Sequence, residues 1–129
     1  MKELLKVNKL IFIPFLVLID FLFKFSFKEK ALINTGIIFG TFQGYNLLWV
    51  FINFIVIFIL IYFYFKEKEY KTGLIFILSG AIGNFIDRIL YKGVIDFIDL
   101  GFWPSFNFAD VYNIIGVILI IFFIRKDYK

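Results

Sequence analysis

Five aspartates, Asp20, Asp87, Asp96, Asp99 and Asp110, lie in or beside long apolar segments of this 129-residue chain. A carboxylate in such a setting is costly, so its presence points to a function or to a charge partner. Two carboxylates held close together cannot both ionise cheaply; they share a proton and offer one general base and one general acid near neutral pH. With no histidine and no cysteine in the chain, Ser-His-Asp triads, thiolate nucleophiles, disulfides and the common zinc ligand sets are excluded. Any hydrolytic chemistry has to come from carboxylates, hydroxyls, lysine or arginine.

The elements that position these aspartates follow from composition. Hydrophobic residues make up 62% of the chain and aromatic residues 23%, with a mean hydropathy of +0.93. A soluble domain needs a far more polar surface. The expected fold class is an all-α integral membrane protein, one domain over residues 1–129, with four transmembrane helices near 10–27, 47–65, 72–91 and 108–124. The stretch Leu47 to Phe65 carries no charge and is long enough to cross a hydrocarbon core of roughly 30 Å at about 1.5 Å per residue. The other three hold their charges toward one end: Asp20 and Lys24, Asp87 and Arg88, and Asp110.

Basic residues set the orientation. Lys2, Lys6 and Lys9 precede the first span, Lys66, Lys68 and Lys71 lie between the second and third, and Arg125, Lys126 and Lys129 follow the fourth. These belong on the cytoplasmic side, which puts both termini inside and the loops 28–46 and 92–107 outside. The net charge of +4 is thus a topology signal, and no nucleic-acid partner is expected. Asp20 and Lys24 interrupt the first apolar run and no small-residue cleavage site follows it, so the first helix is expected to be retained. In this topology Asp20, Lys24, Asp87, Arg88 and Asp110 converge on one outer layer. The second helix offers only Asn53 and reads as scaffold; Lys66, Glu67, Lys68 and Glu69 read as a solvated loop.

Local spacing adds detail. Asp20 and Lys24 share a helix face and can form an ion pair near the outer interface. Ser79, Gly80, Ala81 and Gly83 form a small-residue patch suited to close helix packing. Asn34, Thr35 and Gly36 look like a turn entering an extended segment at Ile37, Ile38 and Phe39. Asp87 sits beside Arg88, which suits a local charge-balancing role. Asp96 lies beyond Gly93 in the outer loop, and Asp110 in the first turn of the last helix, where the helix dipole favours a carboxylate. Residue types alone leave Asp87, Asp96 and Asp110 as candidates for a two-carboxylate site, with Asp99 reading as solvated. A small ion-coupled transporter using a proton relay and a noncatalytic membrane scaffold also remain open on these grounds.

Five short motifs occur in order: Asp20 with Lys24; Asn34, Gly36 and Phe39; Gly83-Asn84-Phe85-Ile86-Asp87-Arg88; Val94-Ile95-Asp96-Phe97; and Asn107-Phe108-Ala109-Asp110. Here the chain resembles lipoprotein signal peptidase, or signal peptidase II, a membrane aspartyl protease family of bacterial lipoprotein maturation. The resemblance implies a catalytic pair of Asp96 and Asp110, with Asn34, Gly36, Asn84, Arg88 and Asn107 binding substrate or supporting the site. Asp20, Lys24 and Asp87 are then structural polar residues. It further implies a small extracytoplasmic β-like platform from the 28–46 loop and a short interfacial flap from Asp96 to Trp103, which is also placed to anchor at the interface. The implied substrate is a diacylglyceryl-modified prolipoprotein, cut just before the lipidated cysteine by water, with no metal or cofactor. Membrane lipids are the other expected partners, and a monomer is the expected functional unit. The implied location is the bacterial cytoplasmic (inner) membrane, with the site at the extracytoplasmic face. Phe21 stands where the family often has Gln, Ile37 and Ile38 where it has small residues, and Ser79 where it often has Gly; the outer loops are also short. These departures bear on the pocket rather than on the aspartate pair.

Overall fold

The computed structural model describes residues 8–37 and 40–128. Four helices, α1 (Phe12–Phe27), α2 (Asn46–Lys66), α3 (Lys71–Tyr91) and α4 (Phe108–Asp127), form the body, and two short strands, β1 (Leu32–Asn34) and β2 (Val94–Asp96), cap one end. A 3-10 turn, Lys9–Ile11, leads into α1. All four helices, α1 with its flanking turns, are long and apolar enough to cross a membrane, so the expected fold class holds.

More than half of the apolar stretch of α3 is buried inside the bundle, against 6% for α2. That contrast makes α3 the central helix and leaves α2 facing outward with its phenylalanines, tied to α3 by Asn53 Nδ2 donating to the Ala81 carbonyl at 3.3 Å. Lipid tails are as apolar as leucine, so helices in a bilayer associate through close packing rather than through hydrophobic exclusion. Close packing needs missing side chains. A Cβ on Gly73 would collide with Ile120 and the Gly116 carbonyl, and one on Gly116 with Ile77 and the Gly73 carbonyl. Gly80 similarly receives Ala109 and Asn113. The small-residue patch read from the sequence thus extends to Gly73 and to the facing Gly116. Ser79, fully buried, returns its hydroxyl to the Ile75 carbonyl at 2.7 Å.

At the end away from the strands, Tyr64, Leu74, Ile75 and Leu78 form the apolar core. Lys9 bonds Thr72 at 3.3 Å and Tyr70 bonds Asp127 at 3.0 Å, tying the chain ends to the α2–α3 turn.

The strands pair antiparallel, with Leu32 opposite Asp96, Ile33 opposite Ile95 and Asn34 opposite Val94. An extended segment thus leads into the Asn34 turn, a strand that the sequence had not suggested. Asn34 ends the strand: its Oδ1 accepts from Gly36 N at 2.9 Å and its Nδ2 donates to the Ile37 carbonyl at 3.0 Å, an Asx-type closure. Ile38 and Phe39 lie outside the described residues. Lys92, left-handed at φ 59°, turns the chain from α3 into β2. Beyond β2, an Ile98–Phe106 bridge closes the loop that contains Trp103. Phe97 stacks on Phe23 and Phe27 of α1, and Phe108 packs at a tilt against Phe23 and edge-on against Phe97, which fastens that loop to the bundle.

Candidate active site

Three charges lie under the two strands. Lys24 Nζ is 2.6 Å from Asp20 Oδ2 and 2.8 Å from Asp87 Oδ2, and all three side chains are about 1% exposed. A lysine buried between two carboxylates is tolerable only because its remaining donor is also used, here by Asn84 Oδ1 at 3.2 Å. Each aspartate spends a second interaction on the fold. Asp20 Oδ1 accepts from Ala109 N at 2.9 Å, satisfying a free amide at the start of α4. Asp87 Oδ2 accepts from Ile95 N at 3.0 Å, fixing β2 to α3 one residue from Asp96. Gly83 makes room, since a Cβ there would sit 2.7 Å from Asp20 Oδ2. The Asp20 and Lys24 pair forms as the spacing suggested, inside the bundle; one expectation changes, since Asp87 is balanced by Lys24 rather than by its neighbour Arg88.

Arg88 points the other way. Its guanidinium donates to the Gly36 carbonyl and to Asn46 Oδ1 at 3.2 Å, while Asn46 Nδ2 returns to the Arg88 carbonyl at 3.1 Å. This ties the 35–45 loop and the start of α2 to the end of α3. Gly36 is buried where any side chain would strike the Thr41 carbonyl. Gln43 completes the loop, donating to Asn34 Oδ1 and the Gly40 carbonyl, both at 2.8 Å, and accepting from Thr35 N at 3.0 Å.

Asp96 and Asp110 open into one cavity of about 540 Å³, whose lining also includes Asn34, Asn84, Arg88 and Trp103. A single side chain joins them. Asn107 Nδ2 donates to Asp96 Oδ1 at 3.0 Å, and Asn107 Oδ1 accepts from Asp110 N at 2.9 Å while Asp110 Oδ2 accepts from Asn107 N at 3.1 Å. The second pair is a capping box, so Asp110 is held by the same bonds that start α4. Asn84 links both clusters, donating to Asp110 Oδ1 at 3.1 Å and accepting from Asn107 Nδ2 and Lys24. Asn34 donates to Asp96 Oδ2 at 3.4 Å. Burial, reinforced by the nearby Asp110 charge and opposed by the Asn34 and Asn107 bonds and by Lys24, pushes the Asp96 carboxyl up to about 7. A carboxyl that keeps its proton near neutrality beside a second carboxylate can act as an acid while its neighbour acts as a base. Asp99 stands apart, exposed, and among the described residues accepts from Gly101 N alone, at 2.8 Å.

Comparison with known proteins is decisive about kinship. A family model described as signal peptidase (SPase) II matches residues 5–126. The chain belongs to the signal peptidase II family. Lipoprotein signal peptidase of Clostridium novyi (strain NT) is 35% identical over 116 residues, spanning 83% of this chain and 76% of that protein. Its counterpart in Clostridium tetani (strain Massachusetts / E88) is 40% identical over 121 residues, spanning 87% and 75%. A solved structure described as a bacterial membrane enzyme, obtained by the in meso method, superposes with a TM-score of 0.86 at 30% identity, covering 96% of this chain and 92% of that one. As a signal peptidase II relative with four apolar helices, the chain is a multi-pass membrane peptidase.

Within this signal peptidase II fold, every site residue named from the sequence lies in one continuous network, and Asp99, read as solvated, is exposed outside it. Sequence reasoning missed Gln43, Asn46 and Asn113. The first two sit in or beside a glycine-containing loop with no periodicity to mark them. Asn113 was legible in principle: three residues after Asp110, it shares that face of α4 and lines the same cavity.

Proposed function

We propose that this chain is an aspartic endopeptidase that removes the signal peptide from diacylglyceryl-modified prolipoproteins just before the lipidated cysteine, with Asp96 and Asp110 as the catalytic pair. The observation that carries the reading is their meeting in one cavity, bridged by Asn107, in a chain of this family. In the reaction, the ionised carboxylate takes a proton from water, whose oxygen bonds to the scissile carbonyl carbon. The protonated carboxyl gives its proton to the carbonyl oxygen. As the tetrahedral intermediate collapses, the carboxyl that took the water proton gives it to the nitrogen, the other carboxylate takes a proton from a hydroxyl of the intermediate, and the carbon–nitrogen bond breaks; the amine and the new acid leave, and the pair again holds one proton.

The surrounding residues have matching roles in this reading. Asn107 and Asn84 hold the two carboxyls at fixed orientation. Arg88 and Gly36 brace the strand platform, and Asn34 limits the freedom of Asp96 while bordering the peptide path. Lys24, Asp20 and Asp87 keep β2 and the start of α4 in register. The protein works as a monomer in the bacterial cytoplasmic membrane, both termini inside, with the site at the extracytoplasmic face, where water from outside and a lipid-anchored chain from the bilayer can both reach it.

The test is cleavage of a diacylglyceryl-modified prolipoprotein by purified protein in detergent. Wild type cuts, and Asp96→Asn and Asp110→Asn, each folded by thermal unfolding, lose activity by about a thousandfold or more, the scale of losing an essential acid or base. Full activity in a folded Asp96→Asn variant refutes the pair, and an inert wild type refutes the peptidase reading.

A further inference from the structure

The cavity holds an amide that the proposed chemistry does not use. Asn113 lies on the Asp110 face of α4, one turn further into the bundle, and lines the same cavity as Asp96 and Asp110. Its Oδ1 is buried against Gly80 with no hydrogen-bond partner. Among the described residues its Nδ2 has no partner either, whereas the cavity amides of Asn34 and Asn84 are engaged with Asp96 and Asp110. With the oxygen turned toward Gly80, the nitrogen is the polar atom left toward the cavity. Val111 and Ile114 line the wall beside it.

An unpaired amide at membrane depth is costly, and leucine would keep the branched shape, though with more bulk, without that cost. A group that raises the energy of the empty site and exposes a donor to it is suited to a ligand acceptor. We propose that Asn113 is a substrate-binding residue whose Nδ2 donates to a carbonyl oxygen of the bound lipopeptide, next to the scissile bond on the bilayer side. This inference rests on the peptidase reading above. Two carbonyl sources share that chemistry: the backbone of the signal segment and the ester of the diacylglyceryl group.

The experiment compares wild type, Asn113→Leu and Asn113→Ala on a synthetic diacylglyceryl lipopeptide and on its dialkyl ether analogue, which lacks the ester carbonyls. Asn113→Leu is expected to unfold at or above the wild-type temperature, because it removes an unpaired polar group, while KM rises about tenfold and carries most of the loss. If wild type already shows the raised KM on the ether substrate and the variants lose nothing more there, the ester is the acceptor. If the variants keep their penalty on the ether substrate, the acceptor is the peptide. Both outcomes support the subsite. Wild-type KM in Asn113→Leu and Asn113→Ala on both substrates overturns it, as does a fall in unfolding temperature and kcat with KM unmoved. Should packing against Gly80 prevent Asn113→Leu from folding, Asn113→Ala gives the same KM comparison. An inert wild type is separable from all of these, because it overturns the peptidase reading itself.

Discussion

At the residue scale, Asp96 is the acid of the proposed pair. In an unfolded chain its carboxyl titrates near about 3.9, and in the folded protein burial and the Asp110 charge hold the proton up to about 7. Between those values the native state binds more protons than the unfolded state. The stability that this group contributes is therefore fully present below about pH 4 and is lost as pH rises through about 7. In the proposed mechanism, activity follows the same titration on its alkaline side. Once Asp96 gives up its proton the pair has no acid, so kcat/KM is expected to fall about tenfold per pH unit well above pH 7. A pH–rate profile between pH 5 and pH 9, on a substrate without titrating groups in that range, checks this; a profile flat to pH 9 refutes it.

At the scale of elements, the site depends on how closely α3 and α4 approach. Gly73, Gly80 and Gly116 remove side chains where the two backbones meet, and the start of α4 carries both Asn107 and Asp110. A side chain at Gly116 would press on Ile77 and on the Gly73 carbonyl, in helix interiors that have little freedom to yield. Gly116→Leu is expected to destabilise the protein by about 1–3 kcal/mol, the usual cost of overpacking. Val117→Leu, on the exposed face next to it, should change stability little. Thermal unfolding of the two variants in one detergent decides; equal unfolding temperatures would mean that the interface is not close-packed there. The buried triad of Lys24, Asp20 and Asp87 works at this same scale. It joins α1, α3, β2 and α4 through charges that lose their compensation if any one is removed.

For the whole molecule, the bundle has two unlike ends. One carries the strands, the cavity and the polar network; the other carries the apolar core, the α2–α3 turn and the basic cluster of Lys66, Lys68 and Lys71. In the proposed orientation the basic end is cytoplasmic. The chain has no cysteine, so one introduced thiol reports a single position. A membrane-impermeant maleimide applied to spheroplasts should label Phe102→Cys directly and Lys68→Cys only after permeabilisation. The opposite pattern refutes the orientation and, with it, the extracytoplasmic site.

What the sequence determined by itself is what depends on composition and on distance along the chain. Four apolar runs require helices because an unpaired backbone cannot enter lipid, and the motifs containing Asp96 and Asp110 disclosed both the aspartates and the family. Spacing along one helix also foretold the Asp20 and Lys24 pair. Only the tertiary structure decided which charge meets which. Lys24 and Asp87 are far apart in sequence, and nothing local says that Lys24, rather than the adjacent Arg88, balances Asp87. The strand preceding Asn34 was hidden for a similar reason: three residues have no useful periodicity, and β1 exists because β2 offers it a partner. Asn107 shows the division most clearly. Its position in a motif was visible, but its bond to Asp96 depends on a loop folding back, and its burial depends on helices that approach because glycines let them.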